Sequence, residues 1–475
     1  MEHPILQPTP WIIVPFGVLL LAIALAPLFF AQWWHKHYPK LAFFLAAVTV
    51  SYYLFVLKAP VPVAHVAHEY LSFIALVGSL FVVSGGIHIR VKGEATPAVN
   101  VFFLFIGAVI ANVLGTTGAS MLLIRPWIRM NKYRITAHHI VFFIFIVSNI
   151  GGCLTPIGDP PLFIGYLKGV PFWWVLEHCL PIWLTAVVFM LLVFFIVDRR
   201  NYLKAPRDVR AKLAEPGDEW KFDGLSNIIF LGVILGSVFI EKPAFLREGL
   251  MVAAALGSYF FTRKEVHHAN AFNFEPIKEV AILFIGIFAT MLPALDWLQH
   301  NAKNLGMTTP GFFYWGSGLL SSALDNAPTY YSFLTAITGV FVQPEVVLEV
   351  QRLIAAGVPD LSTISGLHAE DIKLTIAALQ QYHPIALASG KLDLEQVQIA
   401  YLLGKPALNH FIVAISVGSV FFGANTYIGN GPNFMVKSIA DHAKIHTPGF
   451  LGFIGRYSLP YMLPMLVLIW LLFFH

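Results

Sequence analysis

Charge is scarce in this 475-residue chain. Asp, Glu, Lys and Arg together make up 12% of it against 57% apolar residues, where soluble domains carry about 25% charged residues. That ratio excludes a water-soluble fold. Cysteine is nearly absent: Cys153 and Cys179 both lie in apolar sequence, so no disulfide framework is implied. The alternating segments of about ten residues that close an outer-membrane barrel are also missing. Before the first apolar run there is no Lys or Arg, only Glu2 and His3, and no small-residue cleavage site follows it. The run therefore reads as a retained first helix and not a signal peptide. What the chain does have is solid apolar blocks, such as Trp11 to Gln32, Leu180 to Val197 and Leu451 to Phe474, near the roughly 20 residues that cross a bilayer. The expected fold is an all-α polytopic membrane protein.

Charged and Pro/Gly-rich breaks place spans at 11–31, 41–58, 71–89, 138–168, 172–197, 225–240, 247–262, 279–297, 407–440 and 452–474. Two further apolar blocks, 98–130 and 310–340, are interrupted by Gly-Thr-Thr-Gly at 115–118 and Asp-Asn-Ala-Pro at 325–328. Such interruptions read as turns at membrane depth, tolerated where the broken backbone is buried in protein or lines a cavity. Each block then enters and leaves on one side as a re-entrant hairpin. Charge placement supports this. With the N-terminus outside and both blocks taken as hairpins, 21 of the 30 Lys and Arg fall on inner segments, as the positive-inside rule requires. An ordinary span at 98–130 would put the basic loops at 90–99 and 125–137 on opposite sides. About ten spans, two hairpins and both termini outside are expected.

The order span, hairpin, span, span at 71–197 recurs at 279–474 with opposite orientation. Inverted repeats of this kind build many secondary transporters. At an offset of 271, Gly152 to Pro161 (GCLTPIGDPP) aligns with Gly423 to Pro432 (GANTYIGNGP), with Gly152, Thr155, Ile157, Gly158 and Pro161 identical to Gly423, Thr426, Ile428, Gly429 and Pro432. A Thr-x-Ile-Gly-x-x-Pro cluster ordinarily marks a surface turn. Inside an apolar span it would expose unsatisfied backbone groups to lipid, so both are read as breaks in discontinuous helices facing a midplane site.

Ionisable groups at that depth are functional by default. Asp325, at the second hairpin tip beside Asn326, is the leading candidate, with N-capping of the following helix as its structural alternative. Asp159 sits in the first break, opposite Asn430 in the second; capping and ion binding weigh equally for it. Neutral oxygen donors surround them: Asn112, Thr116 and Thr117 near the first tip, Ser148, Asn149 and Thr155 at the first break, and Asn425, Thr426, Asn430 and Asn433 at the second. Amides, hydroxyls and one or two carboxylates suit a hard, weakly held cation, making Asp325 and Asp159 a candidate Na⁺ site. The pair His138-His139 begins a span and is not read as a metal site; Arg125 and Arg129 are read as topology and headgroup anchors. Enzyme signatures fail on spacing. His68-Glu69 lacks the second His of a zinc-protease helix, and Gly316-Ser317-Gly318 is not a nucleophile elbow. Neither an enzyme nor a resident cofactor is expected; transported Na⁺ and H⁺ are the only ions called for, and nothing points to nucleic acid.

The runs Gly115 to Pro126, Ser148 to Pro161, Asp325 to Thr329 and Gly423 to Asn433 resemble the ion transporter superfamily, which includes NhaD-type sodium/proton antiporters, the arsenite pump ArsB and CitMHS-type citrate carriers. The resemblance is nearest to a bacterial group of citrate transporters or sodium:proton antiporters and covers about residues 60–475. It implies a homodimer in the bacterial inner membrane, in which both hairpins and both broken helices move against a scaffold in an elevator-like cycle. It places the acidic ion site on Asp325 and Asp159, and the polar positions on Asn149, Thr155, Asn425, Thr426 and Asn430. Two departures stand out: neither tip has the Ser-Asn-Thr of the dicarboxylate carriers, and an acidic insertion at 341–406 has no assigned role. The expected organisation is scaffold helices at 1–60, a first repeat at 61–197, a cytoplasmic linker at 198–224, connecting scaffold helices at 225–262 and a second repeat at 263–475. A fixed carboxylate repels a polyanion and lets H⁺ and Na⁺ compete, so sodium/proton antiport with alternating access is the expectation. Carriage of citrate or another carboxylate with a cation is the alternative.

Overall fold

The computed structural model describes residues 8–90, 95–204, 221–240, 243–306, 308–357, 361–388, 390 and 392–475. Most of the predicted linker, 205–220, therefore lies outside the described residues. Of the described residues, 81% are helical. Its helices are α1 (Val14–Phe29), α2 (Ala31–Ser51), α3 (Pro60–Gly85), α4 (Pro97–Met130), α5 (Ala137–Ile146), α6 (Pro160–Leu167), α7 (Phe172–Lys204), α8 (Asn227–Ser237), α9 (Leu246–Phe261), α10 (Glu275–Asn301), α11 (Pro310–Ala323), α12 (Asn326–Phe341), α13 (Pro344–Ala355), α14 (Ala369–Tyr382), α15 (Leu394–Leu403), α16 (Pro406–Phe422), α17 (Gly431–His442) and α18 (Leu463–Phe473), short turns aside. The described strands are β1 (His88–Arg90) and β2 (Lys221–Asp223), antiparallel with His88 opposite Asp223.

Among the described residues nine helices are long and apolar enough to cross a membrane, and a tenth arises if α12 and α13, bent by 90°, count as one span. Of the spans expected at 225–240 and 247–262, the first is shorter than predicted and the second has the expected length, but neither reaches the length of a full crossing. α8 has 11 residues and α9 has 16, roughly 16 and 24 Å at 1.5 Å per residue, against a hydrocarbon core of about 30 Å. The apolar pattern runs past the helix ends, into a turn after Ser237 and the left-handed Phe245 that precedes α9.

α4 doubles back. Gly115 has φ 73° and ψ 157°, a region essentially restricted to glycine, and the legs meet at every level on either side of it. Asn100 and Asn131 exchange side-chain hydrogen bonds of 2.8 and 3.0 Å, Phe103 stacks on Trp127 at 5.5 Å, and Gly107 faces Leu123. The second hairpin is α11 and α12, where Phe313 meets Phe333 and Phe341. Each hairpin starts on a Thr-Pro pair: Pro97 and Pro310 fill the first helical position, where the absent N–H costs nothing. Thr96 and Thr309 accept from the N–H groups of Val99 and Phe312 at 3.4 and 3.3 Å. The base of the first hairpin is fastened by Arg134, which donates to both oxygens of Asp198 on α7 and to the Ala95 carbonyl. His139 approaches the same carboxylate at 3.0 Å. With an arginine on both of its oxygens, Asp198 is a structural staple, and the His138-His139 pair belongs to it.

α1 and α2 pack on α10, where Gly286 lies under Leu19 and Ala42. α3 packs on α10 through the stacked rings of Phe73 and Phe284, 4.6 Å apart. These long helices frame the hairpins and the broken helices, and the ends of the latter meet at the centre.

Candidate functional site

The two helix breaks have the same backbone. After α5, a 3-10 turn spans Ile150–Leu154, Thr155 is extended (φ −135°, ψ 153°), and Asp159 (φ −144°, ψ 143°) precedes α6. After α16, a turn spans Gly423–Asn425, Thr426 takes φ −137° and ψ 159°, and Asn430 takes φ −152° and ψ 141° before α17. The repeat read from ten residues of sequence is therefore present in three dimensions. Gly158 and Gly429 pass so close to the carbonyls of Gly152 and Gly423 that a Cβ would strike them.

Both threonines hold the breaks to the hairpins. Thr155 Oγ1 accepts from the Gly158 N–H at 3.1 Å and donates to the Asn112 carbonyl at 2.6 Å. Thr426 Oγ1 accepts from the Gly429 N–H at 3.0 Å and donates to the Ser322 carbonyl at 2.7 Å. Their hydroxyls are taken up by the protein's own backbone. Asn425 likewise donates to Ser322 Oγ at 2.9 Å, and Asn112 accepts from the Leu154 N–H at 2.9 Å.

All four interrupted segments converge on Asp159, which is 1% exposed. Thr116, just past the first hairpin tip, donates to Oδ1 at 2.6 Å, and Asn430, from the second break, donates to the same oxygen at 3.2 Å. Asn326, at the second tip, donates to Oδ2. Its amide oxygen is buried with no hydrogen-bond partner, a condition native interiors leave only with a reason, such as a place for an ion or water. Asn149, fully buried, donates to Asn433 Oδ1 at 2.7 Å and accepts from Asn430 at 3.2 Å, so it orients the amide that touches Asp159. Thr117, half-buried, makes no hydrogen bond to Asp159, Asn326 or Asn430.

Asp325 caps α12, its Oδ1 accepting from the Ala327 N–H at 3.0 Å, as the structural alternative had it. It also lines a vestibule of about 1050 Å³. That vestibule opens on the face carrying the basic loops and reaches Asn430 and Asp325 at its floor. Its walls come from α1, α2, the start of α10, the second leg of α4 and α17, with Trp34, His35, Tyr38, Glu275 and Glu279 on one side and Arg125, Arg129, Ser438 and His442 on the other. The second leg of α4, α6, α12 and α17 all begin at the site, and helix N-termini attract negative charge. Asp159 and Asp325 sit at two of those ends. Among the described residues no Lys or Arg pairs with either.

Of the predicted residues, then, the fold gathers Asp159, Thr116, Asn326, Asn430 and Asn149, sets Asp325 beside them at the vestibule floor, and places Thr155, Thr426 and Asn425 in the supporting frame. The vestibule wall from α1 and α2 was not foreseen, since Trp34, His35 and Tyr38 carry no motif. A family model described as "Putative citrate transport" matches residues 6–474. No curated protein matches the chain.

Proposed function

The chain belongs to the citrate-transport family and is a secondary transporter, and from that premise we propose that it exchanges Na⁺ for H⁺ at Asp159. The observation that carries this reading is the surroundings of that carboxylate. Three neutral donors from three different segments hold it, no cation among the described residues does, and an unpartnered amide oxygen lies next to it. Na⁺ would take carboxylate and amide oxygens there, and a proton is the alternative way to neutralise Asp159. Since one carboxylate cannot hold both, loading one ion releases the other. Asp325, one residue from Asn326, faces the vestibule and is the first carboxylate an arriving cation meets. The hairpins and broken helices move together against α1 to α3 and α8 to α10, carrying the site between the two faces; the working unit is a homodimer.

The second reading is carriage of citrate or another carboxylate with a cation. The family description favours it, and so do Arg125 and Arg129 on the vestibule wall. The midplane itself favours a cation, because its helix N-termini already carry two carboxylates.

The deciding experiment is Na⁺-induced collapse of a pre-formed proton gradient in everted vesicles, with citrate uptake measured in parallel. Collapse in wild type that is absent in Asp159→Asn supports antiport at this site. Citrate uptake with no response to Na⁺ or Li⁺ overturns it.

A further inference from the structure

On the face opposite the vestibule, four segments meet in an ion-pair cluster, buried at Lys168 and Glu69 and open to solvent at His65, that the transport site does not use. Lys168, immediately after α6, is 3% exposed. Its ammonium contacts Glu69 of α3 and Glu395 of α15, the latter at 2.7 Å, and lies 4.7 Å from the Tyr331 ring of α12. His65, one turn before Glu69, approaches both glutamates at 2.9 and 3.5 Å. α15 belongs to the insertion that the sequence left without a role. The insertion is held to the same turn by His383, 3.0 Å from the Gly169 carbonyl.

The inverted repeat gives this cluster its meaning. The offset of 271 that relates the two breaks pairs Lys168 with Ile439, and the 210 residues between the hairpin tips pair Tyr331 with Met121. Ile439 and Met121 both line the vestibule. His65 and Glu69 lie in the first three turns of α3, and the first three turns of its counterpart α10 supply Glu275, Glu279, Val280 and Leu283 to the vestibule wall. The cluster therefore occupies the place where a vestibule would open if the two repeats exchanged conformations.

We propose that Lys168, Glu69, Glu395 and His65 form the gate of the opposite face, closed in this conformation, and that α15 and His383, both from the insertion, are the part of the gate that caps it. α3 belongs to the scaffold and Lys168 and Tyr331 to the moving body, so the Lys168–Glu69 pair must part each time the site turns toward that face. The inference rests on alternating access but not on which ion is carried. Buried pairs of this kind stabilise little compared with an apolar replacement, yet cost several kcal/mol when one partner alone is removed. The double variant Lys168→Met/Glu69→Gln therefore removes the latch without leaving a lone buried charge.

The test is labelling with a membrane-impermeant maleimide in right-side-out and everted vesicles, on a background of Cys153→Ala/Cys179→Ala, both of which are buried. Single probes are placed at Ser438→Cys, on the vestibule wall, and Leu167→Cys, its mate at the 271 offset. With the gate intact, the Ser438→Cys probe reacts from the vestibule face and the Leu167→Cys probe reacts slowly from either side. In the double variant, and more weakly in Glu395→Gln, the Leu167→Cys rate from the opposite face rises at least five-fold and the Ser438→Cys rate falls. Unchanged rates at both probes, in variants that remain monodisperse in detergent, overturn the gate. The readout needs no transported ion, so a labelling shift without Na⁺/H⁺ exchange would sink the antiport reading and leave the gate standing.

Discussion

The most direct perturbation is Asp159→Asn, which removes a charge with almost no change of shape. The donors to Oδ1 from Thr116 at 2.6 Å and Asn430 at 3.2 Å keep their acceptor. Asn326, which donates to Oδ2, would face an amide N–H₂, and turning its own amide presents the oxygen that has no partner. The loss is then the charge assistance of the hydrogen bonds, about 1–2 kcal/mol, and the variant should fold. The effect on a cation is far larger. At about 2.4 Å, an ordinary hard-cation distance, and an effective dielectric of about 20, one carboxylate contributes roughly 7 kcal/mol of attraction. If dehydration of the ion offsets half of that, roughly 3.5 kcal/mol remains, or about 300-fold in affinity. The half-saturating Na⁺ for proton-gradient collapse in everted vesicles should therefore move beyond reach. Asp325→Asn is the matched comparison: Asn caps a helix as well as Asp, so only the charge at the vestibule floor is lost, and a shift of about ten-fold is expected. Retention of wild-type half-saturation in Asp159→Asn refutes the assignment of the site.

Gly115→Ala forces a side chain into φ 73°, ψ 157° and sets a Cβ 3.2 Å from the Ile157 carbonyl; a cost of about 1–3 kcal/mol should appear as a lower midpoint in a detergent thermal-stability assay, with transport reduced. Thr155→Val takes the hydroxyl donor from the Asn112 carbonyl, while the Gly158 N–H keeps the Thr155 carbonyl at 2.9 Å, so stability should fall by about 1–3 kcal/mol while the Na⁺ half-saturation of the folded fraction stays put; a changed half-saturation would make Thr155 a ligand. Arg134→Ala takes the guanidinium from buried Asp198, leaving it Asn100 and His139 at 3.0 Å, and should lower folded yield sharply, whereas Arg134→Ala/Asp198→Asn should recover part of it; equal yields would mean that the staple is dispensable. Lowering the pH tests the gate. Burial pushes the Glu395 carboxyl up, but the Lys168 ammonium and His65 pull it further down, to about 2. Its contribution is thus present above the ordinary value of 4.5 and lost only as pH falls toward 2, so the slow reaction of the Leu167→Cys probe should persist unchanged to pH 5.

Most spans, both hairpins and both breaks were legible because lipid leaves the backbone few options: a Gly or Asp-Asn cluster inside an apolar run has to be a satisfied turn at a site. The repeat was legible because Thr155 and Thr426 have the same work to do, with the same partners on their hairpins. The ranking inside the site was not. Asp325 stood out for its place at a tip, yet Asp159 collects the donors, because which of two carboxylates receives Thr116 and Asn430 depends on how four distant segments pack. Local sequence likewise gave Thr155 as an ion donor, since nothing along the chain reveals that a hydroxyl is already bonded to Asn112. Lys168 looked like one of nine basic residues on the less basic face; only its contact with Glu69, 99 positions away, gives it a purpose.

The asymmetry within the repeat bears on why exchange would be obligatory. Asp159 is matched by Asn430 and Asp325 by Gly115, so each pair of equivalent positions holds one carboxyl group and one neutral residue, and the midplane carries two carboxyl groups with no Lys or Arg paired to them among the described residues. Carrying an uncompensated carboxylate at membrane depth costs about 2.5–3.5 kcal/mol, so an empty moving body would meet an added barrier of roughly 5–7 kcal/mol, slowing its crossing by about 10⁴-fold. Loading with Na⁺ or with protons removes that barrier, and whichever ion leaves on one face must be replaced before the return. On the proposed reading, leakless antiport would then follow from charge alone. A tricarboxylate would add to the negative charge instead, and could cross only with several cations aboard. Arg125 and Arg129 do not relieve this, because they stand on the vestibule wall and not beside Asp159. Two carboxylates that neutralise by different ions, in a cavity open to one face at a time, are sufficient for exchange. Replacing both, as Asp159→Asn/Asp325→Asn, should therefore let the empty carrier cross, seen as loss of Na⁺-dependent proton movement while the Ser438→Cys and Leu167→Cys probes still exchange accessibility. If those probes freeze in one state, the charges do not set the barrier.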